Sequence, residues 1–412
     1  MNNTSTFPGR FILAADITLQ SPMHIGAIEK GRYVFDGVAN PRIIRYDAGP
    51  GAGIQCALTR TMRLSNQSYE YKTDEGPRIR YGVDVPVIPA STVRGMMRQS
   101  AGNLLLASLV QRDMTLSTDG YNTLMTGSAT TSLNADAATP EVFYMARKDA
   151  FFANFGGTSF ALAARSAVST GMPIIQMTRD MLMSPPLLDP LGIERLDDMT
   201  SAIAVVRKDA VRDMDGPHIH QVIPLDDIAR YHQDKAVEMS AAAQNKAAQK
   251  AAKTAGETVE KDKKRDIRTL SAMEGVNCGV PFALRLQVDA VSEAHLGLMV
   301  LALQNILRKG LVGAKTNTGL GQFVCEQSRI YQINPATNRP MSETGDALFA
   351  ARSTGYAVIG ADDEENSPLA AAIDAGKDYI EDIQPDLIEA FASTNVQAIK
   401  AIYKGEPITV AA

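Results

Sequence analysis

Apolar and polar positions alternate with a period of two at the start of the chain. Phe11, Leu13, Ala15, Ile17 and Leu19 interleave with Ile12, Ala14, Asp16 and Thr18, which predicts a strand closed by Ser21-Pro22. Val85 to Ile88 predicts a short strand, broken by Pro86 and closed by Pro89. Ser91 then stands where a helix N-cap belongs, and the helix should run to about Ser108 with Val93, Met97 and Leu104 on its core face. Arg94 and Arg98, four positions apart, share one flank of that helix. Alternation returns at Val280 to Asp289. Ser292 opens a second helix with Leu296, Met299, Val300, Leu303 and Leu307 at helical spacing, and Gly310 is its natural stop. A last alternating stretch runs from Gln322 to Ile333. Strand, helix, strand, strand, helix, strand, with insertions, predicts an α+β fold around a ferredoxin-like or RRM-like palm.

Between these elements the chain is less regular. Some fifty residues after Met23-His24-Ile25-Gly26 are rich in Gly, Pro, Arg and Tyr and read as a long excursion, about 27–84. The stretch from Asp113 to Gly216 mixes short apolar runs and turns. Residues 235–255 hold nine alanines among Lys and Gln, so 227–269 reads as a solvated helical insertion. The run Lys261, Lys263, Lys264, Arg265 and Arg268 behind it is either a solvated face or an RNA or partner contact.

Composition excludes several classes. With 412 residues, 45% apolar and 21% charged, the chain can bury a large core. No run approaches the roughly 18 apolar residues of a membrane span. Met1 to Arg10 lacks the pattern of a secretory signal, so a cytoplasmic location is expected. Cys56, Cys278 and Cys325 lie far apart with no CxxC pair, which argues against a disulfide framework and a zinc ribbon and predicts reduced, buried thiols; no metal or cofactor is expected. The net charge of -5 hides a division: residues 326–412 carry 14 acidic and 6 basic side chains, the remainder 32 and 35. The acidic tail from Asp362 to Glu389 reads as a solvated appendage or as a helical cap over a neighbour. The basic remainder leaves room for a polyanion.

The loop from Gly310 to Gly321 brings Lys315, Thr316, Asn317 and Thr318 among glycines. It is no P-loop, because Ala314 precedes the lysine and a strand follows where a helix would have to begin. ATP hydrolysis is not supported. Alone, the loop reads as a turn with a solvated lysine, or as backbone able to hold an extended polyanion.

Joined to Ile88-Pro89-Ala90-Ser91-Thr92-Val93-Arg94-Gly95-Met96-Met97-Arg98, this loop resembles a paired signature of the RAMP superfamily, the RRM-like proteins of CRISPR systems. Met23-His24-Ile25-Gly26, Phe155-Gly156-Gly157 and the stretch Glu274-Gly275-Val276 to Gly279 and Phe282 extend the similarity over about residues 11–325. Within the superfamily the pattern is most similar to the Cas-seven-type backbone subunit, copies of which polymerise along CRISPR guide RNA. The resemblance implies a hand: residues 1–333 as palm, with fingers at about 27–84, a thumb within about 113–280 and the 227–269 insertion, followed by a 334–412 acidic extension. It implies RNA contacts at Ser91, Arg94, Arg98, Lys315, Thr316, Asn317, Gly319 and Gly321. His24 is either near the same groove or a packed core histidine. The implied partners are guide RNA, target nucleic acid, further copies of the chain and other effector subunits, with no membrane.

One departure bears on catalysis. RNA-cleaving type III members carry Asp in a loop of the form G-x-D-N-P, and Gly37-Val38-Ala39-Asn40-Pro41 has Ala39 in that place. A methyl group neither binds a metal nor moves a proton, so the expectation is a scaffold without that cleavage. With the helical insertion, the pattern looks most like a type IV effector subunit. The alternatives are a RAMP ribonuclease using Asp36, Asp47 or His24 to cut target or precursor guide RNA, and a general interaction protein acting through residues 227–269.

Overall fold

The computed structural model describes residues 7–35, 42–44, 54–65, 69–73, 76–80, 84–127, 140–157, 162–176, 184–192, 199–206, 224–231, 270–342, 344–352, 355–359 and 368–392, with a few isolated positions between them. The loop holding Asp36, Ala39 and Asp47, the basic run 261–268 and most of the 227–269 insertion lie outside the described residues.

The chain starts with β1 (Gly9–Leu19) and β2 (Gly26–Phe35), β3 (Arg42–Ile44), β4 (Ile54–Thr61), β5 (Arg63–Ser65), β6 (Tyr69–Thr73), β7 (Gly76–Arg80) and β8 (Asp84–Pro86). Helices α1 (Ala90–Gln111), α2 (Thr118–Met125), α3 (Pro140–Lys148) and α4 (Ala150–Phe155) follow, then β9 (Ala167–Val168), β10 (Met172–Pro173), β11 (Thr200–Val206), β12 (Leu270–Val276) and β13 (Pro281–Ala290). After α5 (Glu293–Lys309) come β14 (Phe323–Asn334), β15 (Arg339–Pro340), β16 (Asp346–Ala347), β17 (Phe349–Arg352), β18 (Gly355–Val358), α6 (Pro368–Asp382) and α7 (Pro385–Ala392). Mixed helices and antiparallel sheets make an α+β protein. The chain divides into two compact units, one of residues 1–29, 59–201 and 274–412, the other of 30–58 and 202–273.

In the first unit β1 lies between β13 and β14, antiparallel to both, with short β9 and β10 outside β13. This strand order is that of a ferredoxin-like split βαβ sheet. Phe11, Leu13, Ala15, Ile17 and Leu19 face α1 and α5, whose Val93, Met97, Ala101, Leu105, Met299, Leu303 and Leu307 are all buried. The opposite face of β1 is also covered: Ile12 and Ala14 pack with Tyr331, Ile333 and Leu187. Asp16, fully buried there, bonds the Arg285 guanidinium at 2.6 Å. Its second oxygen accepts the amides of Leu187 and Leu188 at 2.6 and 3.1 Å, and Arg285 also donates to Ser184 and to the Pro185 carbonyl. The pair thus fastens the 184–188 loop over the sheet, and removing one partner should cost about 3–5 kcal/mol.

Three expectations change. The cap of α1 is Pro89, with φ -55 and ψ 144, so Ser91 sits inside the first turn instead of capping it. Of the thiols, Cys325 is buried, with burial pushing its pKa up to about 12, but Cys278 is exposed.

The third change concerns the acidic tail, whose described helices α6 and α7 pack into the core and are no solvated appendage. Ala372, Ile373, Ile388 and Phe391 are buried, and the Phe391 ring lies 4.0 Å from that of Phe152. Helix α6 crosses α5 at backbone contact, since a Cβ on Gly297 would stand 1.8 Å from the Ala372 carbonyl oxygen. Among the described acids of the tail, Glu389 of α7 accepts the Ser117 amide and hydroxyl ahead of α2 at 2.5 and 2.6 Å, and Asp374 pairs with Lys377 at 2.9 Å.

The second unit holds most of a five-stranded sheet in the order β11-β12-β4-β2-β3, with β2 and β3 antiparallel.

Candidate nucleic-acid interface

The glycine-rich loop is a closed structure tied to the turn that follows β1. Gly310, at φ 58, ends α5 in the left-handed conformation that glycine adopts without strain. The two limbs then pair, with Val312 N–H donating to the Gly321 carbonyl at 2.8 Å. Both limbs also reach the Pro22–His24 turn: Ala314 N–H donates to the His24 carbonyl at 2.8 Å and Gly321 N–H to that of Pro22 at 2.9 Å. Gly313 and Gly321 permit this approach, because a Cβ at either would meet the His24 or Val312 carbonyl oxygen at 2.6 or 1.8 Å.

Above this base the tip faces solvent. Lys315 takes a left-handed φ of 59, a 3-10 turn spans Thr316–Thr318, and Gly319 follows at φ 85. The Thr318 hydroxyl donates to the Lys315 carbonyl at 2.8 Å and closes the turn. Lys315, Asn317 and Gly319 are exposed and Thr316 is half-buried, whereas Gly321 is buried in the base. Among the described residues no acceptor holds the Lys315 ammonium.

On α1 the serine and the two arginines have different fates. Ser91 and Arg94 are exposed in the first turns, and Arg94 Nη2 donates to the Ser166 carbonyl at 3.3 Å. Arg98, one turn on, points inward and is only 7% exposed. Its Nε donates to the Leu124 carbonyl at 2.8 Å, Nη2 to that of Thr123 at 2.6 Å, and Nη1 to those of Phe155 and Gly156 at 3.2 and 3.1 Å. The guanidinium also lies 5.2 Å from the Phe151 ring centroid. Burial, with a contribution from the Arg94 charge, lowers its pKa to about 10, so it stays charged at neutral pH.

Arg98 therefore does not line an open groove in this structure, where the resemblance implied an RNA contact. Its acceptors are the last carbonyls of α2 and α4, which carry the partial negative charge of two helix ends. Neither helix has a basic residue in its last turn, and each is followed by a glycine of positive φ, Gly127 or Gly156. Those bare ends, legible in Thr123-Leu124 and Phe155-Gly156-Gly157, are the signal that a distant cation is needed.

His24 is a core histidine, 4% exposed, with Nδ1 donating to the Glu274 carbonyl at 2.6 Å. Glu274, itself buried, accepts from Arg63 and, at 3.2 Å, from the Thr200 hydroxyl, while its other oxygen accepts the Thr61 amide at 3.1 Å and lies 3.4 Å from Arg60 Nε. Burial alone would raise this carboxyl. The Arg63 bond and charge, the Arg60 charge and the Thr61 amide outweigh it and hold the group below its ordinary value. The sequence pattern drew attention to Glu274 without indicating this role.

The structure does bring the loop and α1 to one part of the core. Val93, Met96 and Met97 of α1 line a single apolar pocket with Val312 and Phe323 at the loop's base. Among the described residues no three His, Cys, Asp or Glu side chains are grouped to hold a metal, and no helix is long and apolar enough to cross a membrane.

Residues 16–138 match the model of the RAMP superfamily, a span that includes the Pro22–Gly26 turn and α1. No curated protein sequence matches the chain. Among solved structures, a chain of a "Type IV-B CRISPR Complex" is similar at 14% identity with a TM-score of 0.38, over 79% of this chain and 91% of that one.

Proposed function

We propose that this chain is a non-catalytic backbone subunit of a type IV CRISPR effector, repeated in copies along a guide RNA that it holds for pairing with target nucleic acid. The observation that carries the reading is the glycine-rich loop, which presents Lys315 to solvent from a base fastened to the Pro22–His24 turn. A lysine held out on a short, well-tied turn is a point charge suited to a passing phosphate. Thr316, Asn317 and Gly319 would line the strand beside it, with Ser91 and Arg94 on the flank of α1. Such contacts set register without reading bases, so any guide sequence is accepted. In this reading Arg98, Gly321 and His24 support the surface and do not touch RNA.

The remaining features support the finer reading in order. A hand of palm, fingers and thumb follows from the resemblance, as do other effector subunits as neighbours. Ala39 in place of the type III acid, together with the 227–269 insertion, supports a type IV scaffold over a nuclease. The test is the purified particle. It should carry RNA of one defined length, and should leave both matched target RNA and precursor guide RNA uncut. Cleavage abolished by Ala at Asp36 or His24 would make it a ribonuclease instead. A preparation without nucleic acid, whose RNA affinity ignores Arg94→Glu combined with Lys315→Glu, would remove the reading altogether.

A further inference from the structure

We infer that His24 is a positioning residue for the glycine-rich loop: its buried ring anchors the turn whose backbone carbonyl fixes the limb that presents Lys315. The inference rests on the RNA-binding reading above and adds to it a device in the interior.

The chain of contacts is short. Nδ1–H of His24 donates to the Glu274 carbonyl at 2.6 Å, and the neighbouring Met23 exchanges backbone hydrogen bonds of 2.9 and 2.7 Å with Val276. The turn is therefore joined to the end of β12 by both main chain and ring. On its other side the His24 carbonyl accepts Ala314 N–H at 2.8 Å, one residue before Lys315. Gly313, at φ 90, passes so close that a Cβ would stand 2.6 Å from the same carbonyl oxygen. The carbonyl that receives the ring bond belongs to Glu274, whose carboxylate is held by Arg63, Thr200 and the Thr61 amide, so the anchor is itself fixed.

This arrangement explains why a buried histidine stands there. A ring with a donor at Nδ1 spans from the turn to the Glu274 carbonyl. Asparagine places an amide N–H near the Nδ1 position, and glutamine places one near Nε2, on the wrong side of the ring. The two replacements therefore separate the hydrogen bond from mere filling of space.

The test uses the full chain and a fluorescein-labelled single-stranded RNA of mixed sequence, titrated over a range of salt, with unfolding followed in parallel. His24→Gln should weaken binding about tenfold while leaving the slope of log affinity against log salt unchanged, because Lys315 still meets its phosphate in the complex and the loss is the cost of ordering a loosened loop on binding. His24→Asn should return affinity to within about twofold of the parent. Gly313→Ala, which moves the same limb without touching the ring, should repeat the His24→Gln result and keeps the test valid if that variant does not fold. Lys315→Ala, by contrast, should reduce the slope by about one. Equal losses for Asn and Gln at position 24, a lowered slope for either, or unaltered binding by Gly313→Ala would overturn the positioning role while leaving RNA binding intact. Indifference of affinity to Lys315→Ala and Arg94→Ala together would overturn the RNA-binding reading and this inference with it.

Discussion

Lys315 and Arg98 are both cations in segments that pair as one signature, yet one stands in water and the other is closed in by two helix ends. The difference lies in what each can reach. Lys315 is itself left-handed and sits at a loop tip, with its ammonium exposed and unopposed among the described residues. Arg98 finds the carbonyls of Thr123, Leu124, Phe155 and Gly156 within reach, and a fork of donors against several bare carbonyls is a complete set. Spacing along a helix selects the flank. The neighbours decide whether a cation is a tool for binding or a part of the frame.

The contrast can be broken first at Arg98. Arg98→Ala leaves the ends of α2 and α4 without donors in a dry site and should cost about 4 kcal/mol in urea unfolding. Arg98→Lys, with a point charge in place of the fork, should recover less than half of that. A loss below about 1 kcal/mol, accompanied by weaker RNA binding, would return Arg98 to the binding surface.

Two buried groups near those helices titrate with opposite sign. Asp149 caps α4 by accepting the Phe152 amide at 2.8 Å and takes the Tyr379 hydroxyl of α6 on both oxygens, but burial dominates and pushes its pKa up to about 6. The folded state thus favours the protonated acid, and its contribution is present below about pH 4 and lost as pH rises through about 6. His295 is the reverse. Its Nε2–H donates to the Arg147 carbonyl at 3.3 Å and Nδ1 accepts the Ser292 hydroxyl at 2.8 Å. Burial chiefly, and the Arg165 charge, bring its pKa down to about 4, so its contribution is present above about pH 6.5 and lost on acidification. Each amounts to roughly 3 kcal/mol, and together they should leave stability nearly level over this window. Asp149→Asn should expose stability falling with acid, and His295→Gln stability rising with acid, in denaturant midpoints read across the range. Parallel pH profiles for the two variants would contradict the assignment.

Gly297→Ala comes next. Its methyl group has no room against the Ala372 carbonyl, and a loss of about 2–3 kcal/mol is expected from thermal unfolding, with α6 and α7 becoming sensitive to protease. The smallest effect belongs to Lys315→Ala, which should change stability by no more than about 0.5 kcal/mol.

These contrasts mark what the sequence carried. The alternation in Phe11–Leu19, the helical spacing of Leu296 to Leu307 and the stop at Gly310 were legible because one face of each element is apolar and local rules apply. The helix start shifted from Ser91 to Pro89 because a proline with extended ψ closes the preceding turn and leaves Ala90 free to begin the helix. The tail was misread since its acids are dense, while the few residues that bury it, Ile373, Ile388 and Phe391, are spread among them. The burial of Asp16 was not legible because its counter-ion, Arg285, is remote in sequence. At the candidate site, the loop and the α1 flank were found by pattern. The depth of Arg98 and the anchor beneath His24 depend on carbonyls, which a sequence does not display residue by residue.

The central claim is that Arg94 and Lys315 meet phosphate while Arg98 does not. The most direct measurement is the salt dependence of RNA affinity for the double variant Arg94→Ala, Lys315→Ala beside the parent chain. The account predicts a slope shallower by about two with an unaltered melting temperature. An unchanged slope in the folded double variant would contradict it.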